Sequence, residues 1–135
     1  MAKMFLNTVL VVDDDDDVRA LAVSILHDAG YRAIPAASGD IALNLLLGGL
    51  CIDLLFTDIV MPGELDGFAL AYEAKQIYPD MKVLYTTGFS GFSASKAPIF
   101  GKILSKPYRP STLASEVMRL LGENETYEDR PSARI

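Results

Sequence analysis

The sequence TVLVVDD, residues 8 to 14, decides the fold class. A run of β-branched and aliphatic residues with no polar face is typical of a strand that helices cover on both faces of a parallel sheet. Apolar residues then recur with helical spacing from Val18 to Ile25, and Gly30 is placed to end that helix. A buried strand followed at once by an amphipathic helix predicts an α/β protein.

The same alternation continues to residue 121, and we find no internal repeat or linker. Pro35 in the second strand favours an edge position, where its missing N–H is tolerated. The Gly- and Ser-rich stretch 88–101 predicts a short or irregular fourth helix. The predicted strands are 8–12, 31–36, 52–57, 82–87 and 102–105, and the other predicted helices are 16–29, 39–47 (capped by Ser38), 68–78 and 112–121.

Length and composition indicate one acidic domain at residues 1–121 with a polar, flexible tail at 122–135. The chain has 18 acidic against 12 basic residues, which argues against nucleic acid as a direct partner. The most apolar stretch, 41–56, is interrupted by Asp53 and is shorter than the roughly 20 residues of a membrane span. The amino terminus lacks the features of a signal peptide, so we expect a cytoplasmic protein without membrane insertion. The single cysteine, Cys51, has apolar neighbours and is predicted to be a buried, inert thiol.

Polar residues follow four of the predicted strands. Ligands of open α/β sheets bind beyond the carboxyl ends of the strands, so these residues are expected to converge. They are Asp13 and Asp14, Asp58, Thr87 and Gly88, and Lys106 and Pro107.

Three carboxylates at one sheet edge require a cation. At about 4 Å and an effective dielectric constant near 20, each pair of like charges costs about 4 kcal/mol. Oxygen ligands without Cys or His favour a hard ion, and we expect Mg²⁺ rather than Zn²⁺. A carboxylate beside Mg²⁺, a hydroxyl and a lysine can accept a phosphoryl group. The aspartates at 15–17 are interpreted as a helix start, with Asp15 or Asp16 as the N-cap.

Over about residues 6–121 the chain resembles the receiver domain of bacterial two-component response regulators, a CheY-like, flavodoxin-like fold. The resemblance implies a doubly wound, five-stranded parallel sheet of order 2-1-3-4-5. The motifs that carry it are VVDD at 11–14, FTDIVMP at 56–62 with Asp66-Gly67, TTG at 86–88 and SKP at 105–107.

The resemblance also assigns roles to the site. It implies that Asp58 is the phosphoacceptor and a metal ligand. Asp13 and Asp14 would hold Mg²⁺ together with the backbone carbonyl of Val60. No other cofactor is implied.

Three further residues take family roles. Lys106 would bind the phosphoryl group by charge, and Thr87 would donate a hydroxyl to a phosphoryl oxygen and move inward as the switch. Pro107 is expected to follow a cis peptide bond.

Two features depart from the family pattern. Receiver domains commonly carry Tyr or Phe three residues before the lysine, where this chain has Ile103. Phe100 lies nearby in the sequence but does not occupy that position. The stretch 88–101 replaces a regular fourth helix.

Three other functions fit this sequence less well. A haloacid-dehalogenase-type phosphatase with Asp13 as nucleophile would need an acidic pair after a further strand beyond Lys106, and only a helix and a polar tail follow. A nucleotide-binding domain would need a Gly-rich turn where the aspartates stand. A pseudo-receiver would have lost the acceptor, the acidic pair or the lysine, whereas this chain has all of them.

The sequence therefore predicts a phosphoacceptor switch of a two-component phosphorelay rather than an enzyme. It would take a phosphoryl group from a histidine kinase or a histidine phosphotransfer protein, and it would promote its own phosphorylation and slow dephosphorylation. The chain is either a free-standing regulator or a receiver domain from a longer hybrid kinase, and a weak homodimer is an open alternative.

Overall fold

The computed structural model describes residues 6–88 and 99–122 as one five-stranded parallel sheet with helices on both faces. The order of strands across the sheet is β2-β1-β3-β4-β5, as predicted. The strands are β1 (Thr8–Val12), β2 (Arg32–Ala36), β3 (Leu54–Asp58), β4 (Lys82–Thr87) and β5 (Ile103–Ser105). The described helices are α1 (Asp16–Asp28), α2 (Gly39–Leu47), α3 (Gly67–Ile77) and α4 (Pro110–Leu121).

Short polar side chains cap three of the helices where they leave the sheet. Asp15 accepts hydrogen bonds from two backbone N–H groups of α1, Ser38 accepts one from α2, and Asp66 accepts one from α3. These bonds satisfy donors that the first turn of a helix otherwise leaves unpaired. Each cap ends a strand-to-helix connection, so the caps help to set the loops that carry the site.

The two faces of the sheet are packed by different pairs of helices. Alternate residues of β1 point to opposite faces. Leu10 and Val12 pack with α2 and α3, whereas Val9 and Val11 pack with α1 and α4. A central strand buried on both faces explains why residues 8–12 carry no polar side chain facing solvent.

Several boundaries differ from the predicted ones by two residues or fewer. β3 begins at Leu54 rather than residue 52, and the side chain of the preceding Asp53 accepts a hydrogen bond from the N–H of Thr8 at the start of β1. The last helix begins at Pro110 rather than residue 112, since proline is well suited to the first helical position. Pro35 does lie in the edge strand β2, paired with Val11.

The prediction of a buried cysteine is wrong. Cys51 is exposed, because it lies in the connection between Gly49 and β3, before the chain enters the sheet. Its thiol lies 3.7 Å from the carbonyl oxygen of Gly49 and 3.9 Å from the hydroxyl of Tyr78. Apolar neighbours along the chain did not bury this side chain.

Two predictions concern residues outside the described ranges. The irregular segment predicted at 88–101 lies outside them except for residues 88 and 99–101, and so does the predicted tail except for residue 122. Within residues 6–88 and 99–122, no helix is both long enough and apolar enough to cross a membrane.

Candidate functional site

Three carboxylates converge at the carboxyl edge of the sheet. Asp13 and Asp14 follow β1, and Asp58 is the last residue of the neighbouring strand β3. Each offers a carboxylate oxygen, and these oxygens lie within 4.8 Å of one another. Asp13 and Asp58 are buried, whereas Asp14 is exposed. The predicted convergence of these side chains is therefore observed.

Lys106 joins two of these carboxylates. It follows β5, and its peptide bond to Pro107 is cis, as expected. Its Nζ donates hydrogen bonds to Asp13 Oδ2 at 2.9 Å and to Asp58 Oδ2 at 3.0 Å. The lysine side chain is only 21% exposed. One ammonium thus lies between two buried carboxylates.

The charges of this cluster are unevenly balanced. Burial raises the pKa of the Asp58 carboxyl, and its bond to Lys106 opposes that rise without cancelling it. Burial lowers the pKa of the Lys106 ammonium, but the hydrogen bonds that it donates to Asp13 and Asp58 outweigh burial and hold the pKa above its ordinary value. Because the cluster joins three carboxylates to one ammonium, it carries excess negative charge.

The donor set fits Mg²⁺. It consists of carboxylate oxygens, without a sulfur or imidazole ligand among the clustered residues. Oxygen ligands with excess negative charge suit a hard divalent cation, and the exposed Asp14 leaves one side open to water, which Mg²⁺ retains. The residues present could therefore hold this ion.

The run of aspartates divides into different roles. Asp13 Oδ1 accepts a hydrogen bond from the N–H of Asp15 at 2.9 Å. Asp15 caps α1 by accepting from the N–H groups of Asp17 and Val18. Because its side chain is occupied in this way, Asp15 is a structural residue, and the sequence had left Asp16 as an alternative cap.

The loop after Asp58 is bonded to both α3 and β4. The N–H of Gly67 donates to the carbonyl of Ile59 at 2.8 Å, and the N–H of Ile59 donates to the carbonyl of Thr86 at 2.9 Å. A Cβ on Gly67 would overlap the carbonyl oxygen of Asp58. The sequence showed Gly67 only as part of a motif, whereas the structure gives it a steric role beside the acceptor.

Thr87 ends β4, the strand that pairs with β3, and it is buried. The adjacent Thr86 lies in register with Asp58. Among the described residues, the Oγ1 of Thr86 is a buried side-chain atom without a hydrogen-bond partner. Sequence reasoning named Thr86 only within the TTG motif, because local sequence gives no signal for an unsatisfied hydroxyl.

An aromatic residue lies beside the position where the family pattern expects one. Ile103 is in register with Tyr85 of β4. The buried ring of Tyr85 packs against Phe68 with ring centroids 5.0 Å apart, and its hydroxyl accepts a hydrogen bond from the N–H of Phe100 at 3.2 Å. The aromatic side chain is therefore on β4 rather than on β5.

A groove of about 320 Å³ runs beside the lysine. Val18 and Leu21 of α1 line it together with Lys106, Pro107 and Tyr108. Burial raises the pKa of Tyr108 to about 12, with the charge of Asp13 adding to the effect. The groove beside Lys106 is thus lined mainly by apolar side chains.

The chain matches known proteins along most of its length. A family model described as the response regulator receiver domain matches residues 9–118. The response regulator receiver protein CpdR of Brucella abortus is 39% identical over 116 residues, which cover 84% of this chain and 95% of that protein. The sensor kinase CckA of the same organism is 37% identical over 123 residues, which cover 87% of this chain but 13% of the kinase.

Solved structures give the same result. A response regulator receiver protein from Sinorhizobium medicae superposes with a TM-score of 0.80 at 30% identity, covering 90% of this chain and 99% of that one. The response regulator TrrA from Thermotoga maritima, in complex with Mg²⁺-BeF, superposes with a TM-score of 0.74 at 28% identity, covering 85% and 99%. The chain therefore belongs to the response regulator receiver domain family of two-component signalling.

Proposed function

We propose that the chain is a phosphoacceptor switch that takes a phosphoryl group from a phosphohistidine onto Asp58 in the presence of Mg²⁺. One observation carries the proposal: Asp58 shares a carboxylate cluster with Asp13 and Asp14, and Lys106 bonds both Asp13 and Asp58. The donor is a histidine kinase or a histidine phosphotransfer protein. The proposed domain spans residues 1–121, and we expect it to act in the cytoplasm.

The carboxylate of Asp58 is the nucleophile. Its oxygen forms a bond to phosphorus as the bond from phosphorus to the donor imidazole nitrogen breaks, and the electron pair of that bond stays on the imidazole. Asp13, Asp14 and Asp58 would hold Mg²⁺ together with the backbone carbonyl of Val60. When bound, the ion would neutralise charge on the transferred phosphoryl oxygens.

Two further side chains would bind the phosphoryl group. Lys106 already contacts Asp58, so its ammonium is within reach of an added phosphoryl oxygen. Thr87, at the end of β4, would donate its hydroxyl to another oxygen. Because these groups belong to the same chain as the acceptor, the domain promotes its own phosphorylation and slow hydrolysis.

Asp58 is a better nucleophile than Asp13. Both oxygens of Asp13 are engaged, Oδ1 by the N–H of Asp15 and Oδ2 by Lys106. A dehalogenase-type reaction would also need Asp15 as a second acid, but that side chain caps α1. The geometry therefore disfavours the phosphatase alternative.

The groove beside Lys106 supports a protein donor. Asp58 is only 6% exposed, so a donor histidine must be guided to it. Leu21 stands 58% exposed on the wall of the groove, where an apolar partner surface could pack against it. A signalling switch also requires that the phosphorylated and free forms bind an output partner with different affinity.

Acetyl phosphate with Mg²⁺, followed by intact mass measurement, tests the proposal. Wild-type protein should gain the mass of one phosphoryl group, and an excess of EDTA should prevent the gain. Asp58→Asn should gain none, whereas Asp17→Asn, which removes an exposed aspartate from the same acidic end of the sheet, should behave as wild type. A wild type without an adduct would refute the proposal, and an adduct on Asp58→Asn would place the acceptor elsewhere.

A further inference from the structure

Arg19 of α1 reaches back over the first turn of its helix to the end of β1. Its Nη1 donates a hydrogen bond to the backbone carbonyl of Asp13 at 2.8 Å, and its Nη2 donates to Asp16 Oδ1 at 2.6 Å. The arginine side chain is 17% exposed, whereas that of Asp16 is 86% exposed. The guanidinium is thus largely packed, and one end of it lies on a backbone group of the acidic cluster.

The two contacts of Arg19 differ in what they do. An exposed ion pair such as the one with Asp16 contributes little to stability. A charge-assisted bond to a partly buried carbonyl is stronger and more directional. The Asp13 contact is therefore the one that explains why the side chain folds back.

Asp13 is held at every polar group. Its N–H donates to the carbonyl of Ala36 at 3.2 Å, Oδ1 accepts from the N–H of Asp15, and Oδ2 accepts from Lys106. The carbonyl oxygen, held by Arg19, completes this set. Arg19 is the α1 side chain in that set.

The carbonyl of Asp13 belongs to the peptide group that leads into Asp14. Because a peptide group is planar, holding its oxygen also sets the direction of the Asp14 nitrogen and Cα. Asp14 is exposed, so the direction of its carboxylate depends mainly on its backbone. Rotation of this one peptide would turn Asp14 away from Asp13 and Asp58.

We infer that Arg19 is a positioning residue of the Mg²⁺ site, which orients the Asp13–Asp14 peptide so that both carboxylates face the ion. This inference rests on the proposed function. Residues that orient metal ligands in this indirect way typically change metal affinity by about 10- to 100-fold when they are replaced.

Electrostatics alone gives the opposite expectation. Arg19 is a positive charge near the cluster, so its removal should strengthen the binding of a cation by Coulomb's law. Loss of positioning should weaken the binding. The direction of the change in Mg²⁺ affinity therefore separates the two effects.

The test is a titration of the purified chain with Mg²⁺ alone. Binding is monitored by the chemical shifts of backbone amides at the ends of β1 and β3. Arg19→Met keeps the apolar stem and removes the donors, and its Kd for Mg²⁺ should rise about 10-fold. Arg19→Lys keeps the charge but lacks the planar fork, so its Kd should rise less. Arg32→Met, the same change at an exposed position at the start of β2, should bind as wild type.

A second readout distinguishes positioning from a loss of structure. The rate of phosphorylation by acetyl phosphate should need more Mg²⁺ in Arg19→Met, but it should approach the wild-type rate at saturating Mg²⁺. A Kd that is unchanged or lower in Arg19→Met overturns the inference. If that variant does not fold, an Arg19→Lys variant with the wild-type Kd overturns it. A wild type that binds no Mg²⁺ refutes the proposed function instead.

Discussion

Replacement of Lys106 by methionine should destabilise the Mg²⁺-free protein strongly. Methionine retains most of the apolar stem but removes the ammonium that lies 2.9 Å from Asp13 and 3.0 Å from Asp58. The change leaves two buried carboxylates facing each other without this counter-charge. Lys106 is thus expected to be the cation that stabilises the buried carboxylates before a metal binds.

The distances give the magnitude. At about 3 Å and an effective dielectric constant of about 20, each ammonium–carboxylate attraction is about 5.5 kcal/mol. Desolvation offsets much of this, and removing one partner of a buried ion pair typically costs about 3 to 5 kcal/mol. Since the lysine is 21% exposed, we expect a loss near the lower end, about 3 kcal/mol.

Magnesium should restore part of this loss. The ammonium and Mg²⁺ neutralise the same carboxylates, so Lys106→Met should bind the ion more tightly than wild type. Each tenfold gain in affinity adds about 1.4 kcal/mol to the free energy of unfolding at saturating Mg²⁺. We therefore expect a larger stabilisation by Mg²⁺ in the variant than in wild type.

Urea unfolding with EDTA and with excess Mg²⁺ measures both effects. Lys102→Met is the matched control, because that lysine is 53% exposed in its pair with Glu116 and should change stability by less than about 1 kcal/mol. Lys106→Met combined with Asp58→Asn should regain stability, since the repulsion is removed. Equal stability of Lys106→Met and wild type in EDTA, or equal stabilisation of both by Mg²⁺, would show that the reasoning is wrong.

Two further predictions concern the acceptor loop and a surface carboxylate. Gly67→Ala should lower the free energy of unfolding, measured in urea, by about 1 to 3 kcal/mol, because the added Cβ overlaps the carbonyl oxygen of Asp58. Gly88→Ala is the control, since the nearest atoms to its added Cβ are 3.9 Å away and its stability should change little. Equal effects of the two substitutions would contradict the steric explanation. The pKa of Glu116 is lowered, chiefly by its hydrogen bond from Lys102. The pair therefore stabilises the fold at pH values above 4.5, the ordinary pKa, and this stabilisation is lost as the pH falls through the lower pKa of the folded protein. NMR titration of the Glu116 carboxyl should therefore give a value below 4.5 that rises in Lys102→Met, and an unchanged value would contradict this cause.

Most of the fold could be predicted from the sequence because its signals are local. The apolar run of β1, the cap at Ser38 and the strand at 82–87 were each read from a few neighbouring residues, and β4 has the predicted bounds. The predictions differ from the structure where contacts with distant parts of the chain outweigh the local sequence pattern. The side chain of Asp53 bonds the start of β1, and Cys51 stays outside the sheet despite its apolar neighbours.

For the site, the sequence by itself determined which residue types follow the strands, and the parallel sheet made their convergence predictable. Only the tertiary structure decided the contacts among them. Lys106 meets Asp13 across 93 residues of chain, and Gly67 folds against the carbonyl of Asp58. The fold of the side chain of Arg19 onto Asp13 is likewise invisible in a helical pattern. Such contacts depend on how whole strands and helices pack, because angstrom-scale distances between remote residues are set by the assembled core rather than by neighbouring sequence.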